Sequence, residues 1–286
     1  MCNFASGIIL QSGEVIESEY TDQHELIIEA NNLKEATTLP GHNGFIRYEY
    51  SGSNPCDIGT YVLHIDEESI PVWFSDHTKE RVTEEIKVRT GKRILTKGKI
   101  PLLLGGKWVL GGDVKVDRIY NAIIISMHGS SSIRVMHGSS AIGYMRDSSS
   151  IGDMRDSSSI GDMHESSSIG VMYDFSSIRV MRESSSIGDM YNSSSIGDMH
   201  ESSTIGVMHG SSSIGVMYDS SSIRGMRDSS SIGDMHESSS IRVMRESSSI
   251  GDMCDSSSIG YMHGSSTIGV MHDSSKVIND SRIKKD

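Results

Sequence analysis

Residues 145–172 read MRDSSSIGDMRDSSSIGDMHESSSIGVM, three copies of one nine-residue unit. Met recurs at every ninth position from Met127 to Met271, and Ile stands three residues ahead of each, from Ile124 to Ile268. Val277 closes the Ile series, and the middle Ser of the Ser run is kept from Ser131 to Ser275. Of 18 Met, 17 keep this phase, so the pattern is a structural constraint and not a compositional bias. Variation collects after Met (His128, Arg146, Tyr173, Cys254) and at the two positions after Ile (Arg134 or Gly152, then Val135, Tyr144 or Asp153).

A single helix cannot use this period. Nine residues advance roughly 900° at about 100° each, which sends successive Met to opposite faces. A continuous strand fails as well, because nine is odd and strand side chains alternate with period two. A chain that coils back on itself stacks Ile on Ile and Met on Met, so the sequence predicts a mainly β fold, a parallel β-solenoid. The absence of Pro from the repeats fits ladders that need every N–H. Gly, Asp, Asn or Glu two residues after Met reads as a corner. Gly after Ile reads as a second corner, and the Ser columns are expected to hydrogen-bond along the axis.

Two nonapeptides per coil, 18 residues, give two opposed parallel sheets. The column before Met supports this choice. It reads Val135, Tyr144, Asp153, Asp162, Val171, Val180, Asp189, Asp198, so an 18-residue coil places each Asp on Val and separates like charges. Asp234 over Asp252 is the exception. The repeats predict about eight coils, on the order of 40 Å at roughly 4.8 Å per strand.

Residues 1–117 read as a small α+β domain that caps the solenoid, 118–279 as the solenoid, and 280–286 as a charged tail. "FASGIIL" and "EVIESEY" flank "QSG" as a hairpin. "DQHELIIEANNLKEA" reads as a helix with Asp22 as N-cap and Leu26, Ile27 and Leu33 on its apolar side. "FIRYEY" and "TYVLHID" read as strands. "SDHTKERVTEEIKVRTGKRIL" reads as a helix capped by Ser75 or Asp76, with Val82, Ile86 and Ile94 toward the sheet. "WVLGGDVKVDRIYNAIIIS" reads as strands that lead into the first coil. At the other end Lys276 replaces Ser and Asp280 replaces Met, so charge blunts the last edge.

The N-terminal "MCNFASGII", "DQHELI" and "LLLGGKWVL", followed by tandem "DSSSI" units, resemble a group of phage- and prophage-encoded proteins. In these, a short N-terminal domain runs into a parallel β-solenoid built on a Ser-Ser/Ala-x-Ile/Val nonapeptide. The resemblance covers nearly the whole chain, and the repeat is its more specific part. This chain departs from the pattern in having Met where Val is expected and Gly more often after Ile. The resemblance implies the fold and a phage origin, and it assigns no residue roles.

Net charge is −12, with 13 basic and 18 acidic residues up to Ser126 and 13 basic and 20 acidic after it. No basic stripe follows a phosphate backbone, so nucleic acid is not an expected partner. Three cysteines, Cys2, Cys56 and Cys254, suggest no disulfide framework and favour a reducing, cytoplasmic compartment. No basic-then-apolar leader and no long apolar run appear, so no membrane partner is expected.

No catalytic, cofactor-binding or metal-binding residue is assigned. The unit lacks the Gly-Gly turn of calcium-binding nonapeptides. His128, His137, His164, His200, His209, His236, His263 and His272 share one repeat position with Arg, Tyr and Cys, the mark of a variable surface column. The repeated serines are interchangeable, whereas a catalytic triad needs one special Ser. An ice-binding face wants methyl groups, and Thr enters the Ser runs only at Thr204 and Thr267. DNA mimicry wants denser acid than Arg-interspersed repeats supply. The leading expectation is a non-enzymatic scaffold that presents a repetitive surface for self-assembly or a protein partner. The alternative is an activity in the N-terminal domain, with Cys2 as nucleophile aided by His24, His64 or His77 and the solenoid as spacer.

Overall fold

The computed structural model describes residues 5–18, 21–34 and 44–281. The chain falls into two compact units, residues 1–96 with 105–110, and residues 97–104 with 111–286.

The first unit holds an antiparallel sheet of β1 (Ala5–Leu10), β2 (Val15–Glu17), β3 (Phe45–Gly52) and β4 (Tyr61–Ile65), in the order β2-β1-β3-β4. The hairpin read from "FASGIIL" and "EVIESEY" pairs Ile9 with Val15. Helix α1 (His24–Ala30) packs Ile27 and Ile28 against Ile8 and Phe45. The expected apolar side is therefore rotated: Leu26 is exposed, and Ile28 takes its place. The N-cap is Gln23 with no side-chain cap, because the Asp22 carboxylate is engaged by Lys107. Helix α2 (Asp76–Gly91) is capped by Ser75, whose Oγ accepts the Thr78 N–H, and it buries Val82 and Ile86. Ile94 lies beyond this helix in β5 (Ile94–Leu95), which pairs in parallel with β7 (Lys107–Leu110). Arginines bind this unit together. Arg81 donates to the Gly13 carbonyl, Arg89 to that of Val15, and Arg93 to Glu17, which also accepts the Tyr48 hydroxyl at 2.8 Å.

The second unit is the solenoid. Its first strands are β6 (Lys99–Leu104), β8 (Lys115–Tyr120) and β9 (Ile123–Met127). One strand per nonapeptide follows, from β10 (Ser132–His137) to β26 (Lys276–Asp280). The even-numbered strands from β26 back to β6 form an 11-stranded parallel sheet, and the odd-numbered strands from β25 (Thr267–Met271) back to β9 supply nine strands of the opposed one. Each coil is 18 residues, as the Ile151↔Ile169 and Met154↔Met172 pairing shows. The alternation expected before Met is present: Val135↔Asp153, Asp153↔Val171, Val171↔Asp189, with Asp234↔Asp252 the one like-charge pair. Parallel pairing starts earlier in the chain than the periodic sequence. Lys99 pairs with Lys115 and Val116 with Ile133, so the even-numbered sheet spans roughly 48 Å at about 4.8 Å per strand.

Ile and Met fill the interior, with Ile196 at 3% exposure and Met199 at 0%. In an unbroken strand, residues three apart face opposite ways. The break falls at the residue after Ile, which is missing from the pairing register of each repeat strand, as at Gly152. This corrects the reading of that Gly as a corner. It lies within the strand with no positive φ, and a Cβ on Gly161 would stand 2.5 Å from the Gly143 carbonyl oxygen. Both corners of each coil come instead from the acid, Asn or Gly two residues after Met.

The middle Ser also points inward. Equivalent Oγ atoms in successive coils are about 4.8 Å apart, beyond hydrogen-bond reach, so the expected axial Ser chains do not form. Ser158 instead donates to the Arg155 carbonyl at 2.8 Å, and Ser140 to that of His137 at 2.7 Å. Ser131, Ser149, Ser167 and Ser194 are among the buried hydroxyls with no partner. The backbone ladder continues around the corners, with Arg146 N–H donating to Met127 O and Ser148 N–H to Gly129 O, both at 3.0 Å.

Candidate binding surface of the solenoid

The corner is built on residues that adopt the left-handed region. Asp147 has φ 58°, Glu165 59°, Asp219 57° and Glu246 60°. An L side chain is strained there unless something compensates, and Gly is the usual solution. Here the compensation is a carboxylate bond between coils. Asp147 accepts the N–H of Gly129 at 2.6 Å, Glu165 that of Asp147 at 2.6 Å, and Asp219 that of Glu201 at 3.0 Å. Each of these three acids thus caps the corner of the coil before it.

The result is a column of acids along one edge, from Asp147 through Glu165, Glu183 and Glu201 to Asp273. Their electrostatics follow from these bonds. The Gly129 N–H holds the Asp147 carboxyl below its ordinary range, and the Glu201 and Gly210 N–H groups do the same for Asp219 and Asp228. Glu237 goes the other way, pushed up by its hydrogen bond to Asp219 and by that neighbour's charge.

The residue after Met lies beside the corner residue, half-buried where it is Tyr, as at Tyr173 and Tyr191, or an inner His such as His200, and exposed where it is Arg, as at Arg146 and Arg182. Along one edge Tyr173, Tyr191 and His209 stack face to face, with ring centroids 5.4 and 4.6 Å apart. Along the other, His200, Tyr218 and His236 stack at 4.8 and 5.3 Å. Arg155 lies over the Tyr173 ring at 5.2 Å. The histidine position is thus a mixed stacking column. His200 Nδ1 stands 3.9 Å from Asp219, and among the described residues no three His, Cys, Asp or Glu side chains are arranged to hold a metal ion. Burial pushes the His128 imidazole below its ordinary value.

The three serines of each run point different ways. Ser193 is exposed at the corner, Ser194 is buried, and Ser195 lies half-buried on the outer sheet face. Phe175 occupies the first position at 71% exposure, as its bulk requires.

Cys2 lies outside the described residues. Of its suggested partners, His24 is buried with Nε2 3.0 Å from the Tyr48 carbonyl, while His64 and His77 are exposed on β4 and α2. Burial and the carboxylates of Asp252 and Asp255 push the Cys254 thiol up, opposite to what a nucleophile needs. The bonds between corner acids and backbone N–H groups escaped sequence reading. Their signal was present in the restriction of the position two after Met to Asp, Glu, Asn or Gly.

No family model, no curated protein and no solved structure matches the chain. Among the described residues, no helix is long and apolar enough to cross a membrane.

Proposed function

We propose that this chain is a non-enzymatic structural or binding protein whose solenoid presents a repetitive outer surface for self-association or for a protein partner. One observation carries the reading. The inward and corner positions keep their residue types coil after coil, while the stacking column after Met and the outer columns after Ile vary freely. A fold that needed only to stand would not require varied outer columns, and aromatic rings held in stacks are pre-organised for contact. The resemblance of the repeat to phage-encoded solenoids supports a phage origin. The sparse cysteines, three in the whole chain, support a cytoplasmic setting.

Light scattering with small-angle X-ray scattering tests the reading, alongside capture of proteins on immobilised full-length chain. The expected result is a mass above the 31.2 kDa of one chain, or a bound protein, lost when Tyr173, Tyr191 and His209 are changed to Ser. A monomer at every concentration that captures nothing overturns it.

A further inference from the structure

Arginine recurs at the position after Ile, and its pairing follows a rule. Arg134 forms an ion pair with Asp117, and Arg179 with Asp162, each acid 17 residues earlier in the chain. Strands β20 (Ser222–Met226) and β22 (Ser240–Met244) are neighbours in the even-numbered sheet and carry Arg224 and Arg242 at this position. The same offset leads Arg224 to Val207 and Arg242 to Gly225, neither of which has a carboxylate. Arg227 and Arg245, each following Met in these two coils, bring the count to four. Among the described residues none of the four forms an ion pair; the arginine pairs lie elsewhere.

The four guanidinium-bearing side chains line one notch of about 420 Å³ with Gly225 between them. Gly225 is the single Gly in the column before Met, where other coils carry Val, Asp, Tyr or, at the first Met of the series, Ser126. The backbone does not demand it. Its φ is not positive, and a Cβ there would meet Val207 Cγ1 at 3.6 Å, an ordinary contact. The notch is open because a side chain is omitted, and the acids that elsewhere neutralise arginine are omitted with it. The corner acids that follow Arg227 and Arg245, Asp228 and Glu246, keep their charge, and Arg227 helps hold the Asp228 carboxyl low, but their carboxylates are directed to the N–H groups of Gly210 and Asp228 at 2.9 and 2.7 Å and form no ion pair with the four arginines.

We propose that this notch binds a small phosphoryl-bearing ligand with at least two negative charges. Four unpaired guanidinium groups on a chain of net charge −12 repel one another, and an oxyanion relieves that repulsion. Guanidinium forks match phosphate oxygens in pairs. The two coils present two Arg each, about 4.8 Å apart, so a diphosphate offers linked tetrahedral groups to both. The inference stands apart from the scaffold reading, since a monomer could bind the ligand equally well.

Calorimetric titration of the full-length chain with inorganic diphosphate tests it, with tricarballylate as a carboxylate of similar charge. Saturable binding by diphosphate that weakens with salt is expected, together with little binding of tricarballylate. Arg224→Ala combined with Arg242→Ala should weaken it by about tenfold or more. Gly225→Asp supplies the missing acid and Gly225→Val fills the notch without charge. Both residues are native to this column, so both variants should keep the wild-type circular dichroism and lose binding. No diphosphate binding at millimolar concentration overturns the proposal. So does undiminished binding in folded Gly225 variants, and equal binding of tricarballylate overturns the phosphoryl assignment.

Discussion

Ile196 shows how much one residue decides. Its neighbours along the axis are Ile178 and Ile214, one coil to either side. Ile196→Asp buries a carboxylate with no partner at a 3% exposed position and should cost on the order of 4 kcal/mol or more. Ser193→Asp, at the exposed corner, should change stability by about 0.5 kcal/mol or less. Chemical denaturation of the two variants measures both, and equal losses would contradict the inward assignment of Ile. At this scale the sequence was informative: an apolar residue kept at a fixed period, as Ile and Met are, marks the core. The direction of each Ser was not legible, because one residue type fills three environments, and only burial separates Ser194 from Ser193.

The corner columns are where sequence and structure meet at the scale of elements. Asp147, Asp219 and Asp228 have carboxyls held low by backbone N–H groups. Their contribution to stability is complete above the unfolded-chain value of about 3.9 and is lost as pH falls below it toward their lowered folded values. Glu237 is raised, so its ionised form opposes folding, and that opposition is relieved as pH falls through its raised value toward about 4.3. The solenoid should therefore hold or slightly gain stability on mild acidification and then lose it steeply below about pH 4. Thermal melts across this range measure the profile. A steady loss beginning at neutral pH would contradict the column as described. The N-terminal elements were legible where a pattern was strong, as in the hairpin and the Ser75-capped helix. The errors fell where tertiary demand overrode local preference. Lys107 engages Asp22 and leaves Gln23 at the helix start, and Ile94 leaves the helix to pair with Val109.

For the whole molecule, burial divides one residue type into two populations. Met199 and its equivalents are fully enclosed, while Met271 in the last coil is 43% exposed. Peroxide should convert Met271 to the sulfoxide first and spare the interior until coils open. Peptide mass mapping over time reads this directly, and simultaneous oxidation of Met199 would show a core far looser than its packing. Two repeats per coil could be inferred beforehand from Asp alternating with Val. The coils upstream of the repeats could not, because Lys99–Leu104 and Lys115–Tyr120 carry neither the Ser run nor the Ile-to-Met spacing. The gap left by Gly225 was equally silent, since it shows only once the coils are laid side by side.

The 18-residue coil also constrains how such a gene can change. Unequal recombination adds or removes tandem units, and the unit of DNA is one nonapeptide, half a coil. Losing one unit keeps Ile on Ile and Met on Met, so the shortened chain still folds. Every later repeat, however, moves to the opposite sheet relative to those before it, and at the junction Tyr, His, Asp and Val meet new neighbours. Losing two units preserves every face. Lineages that exchange repeats while keeping the surface should therefore differ by even numbers of them.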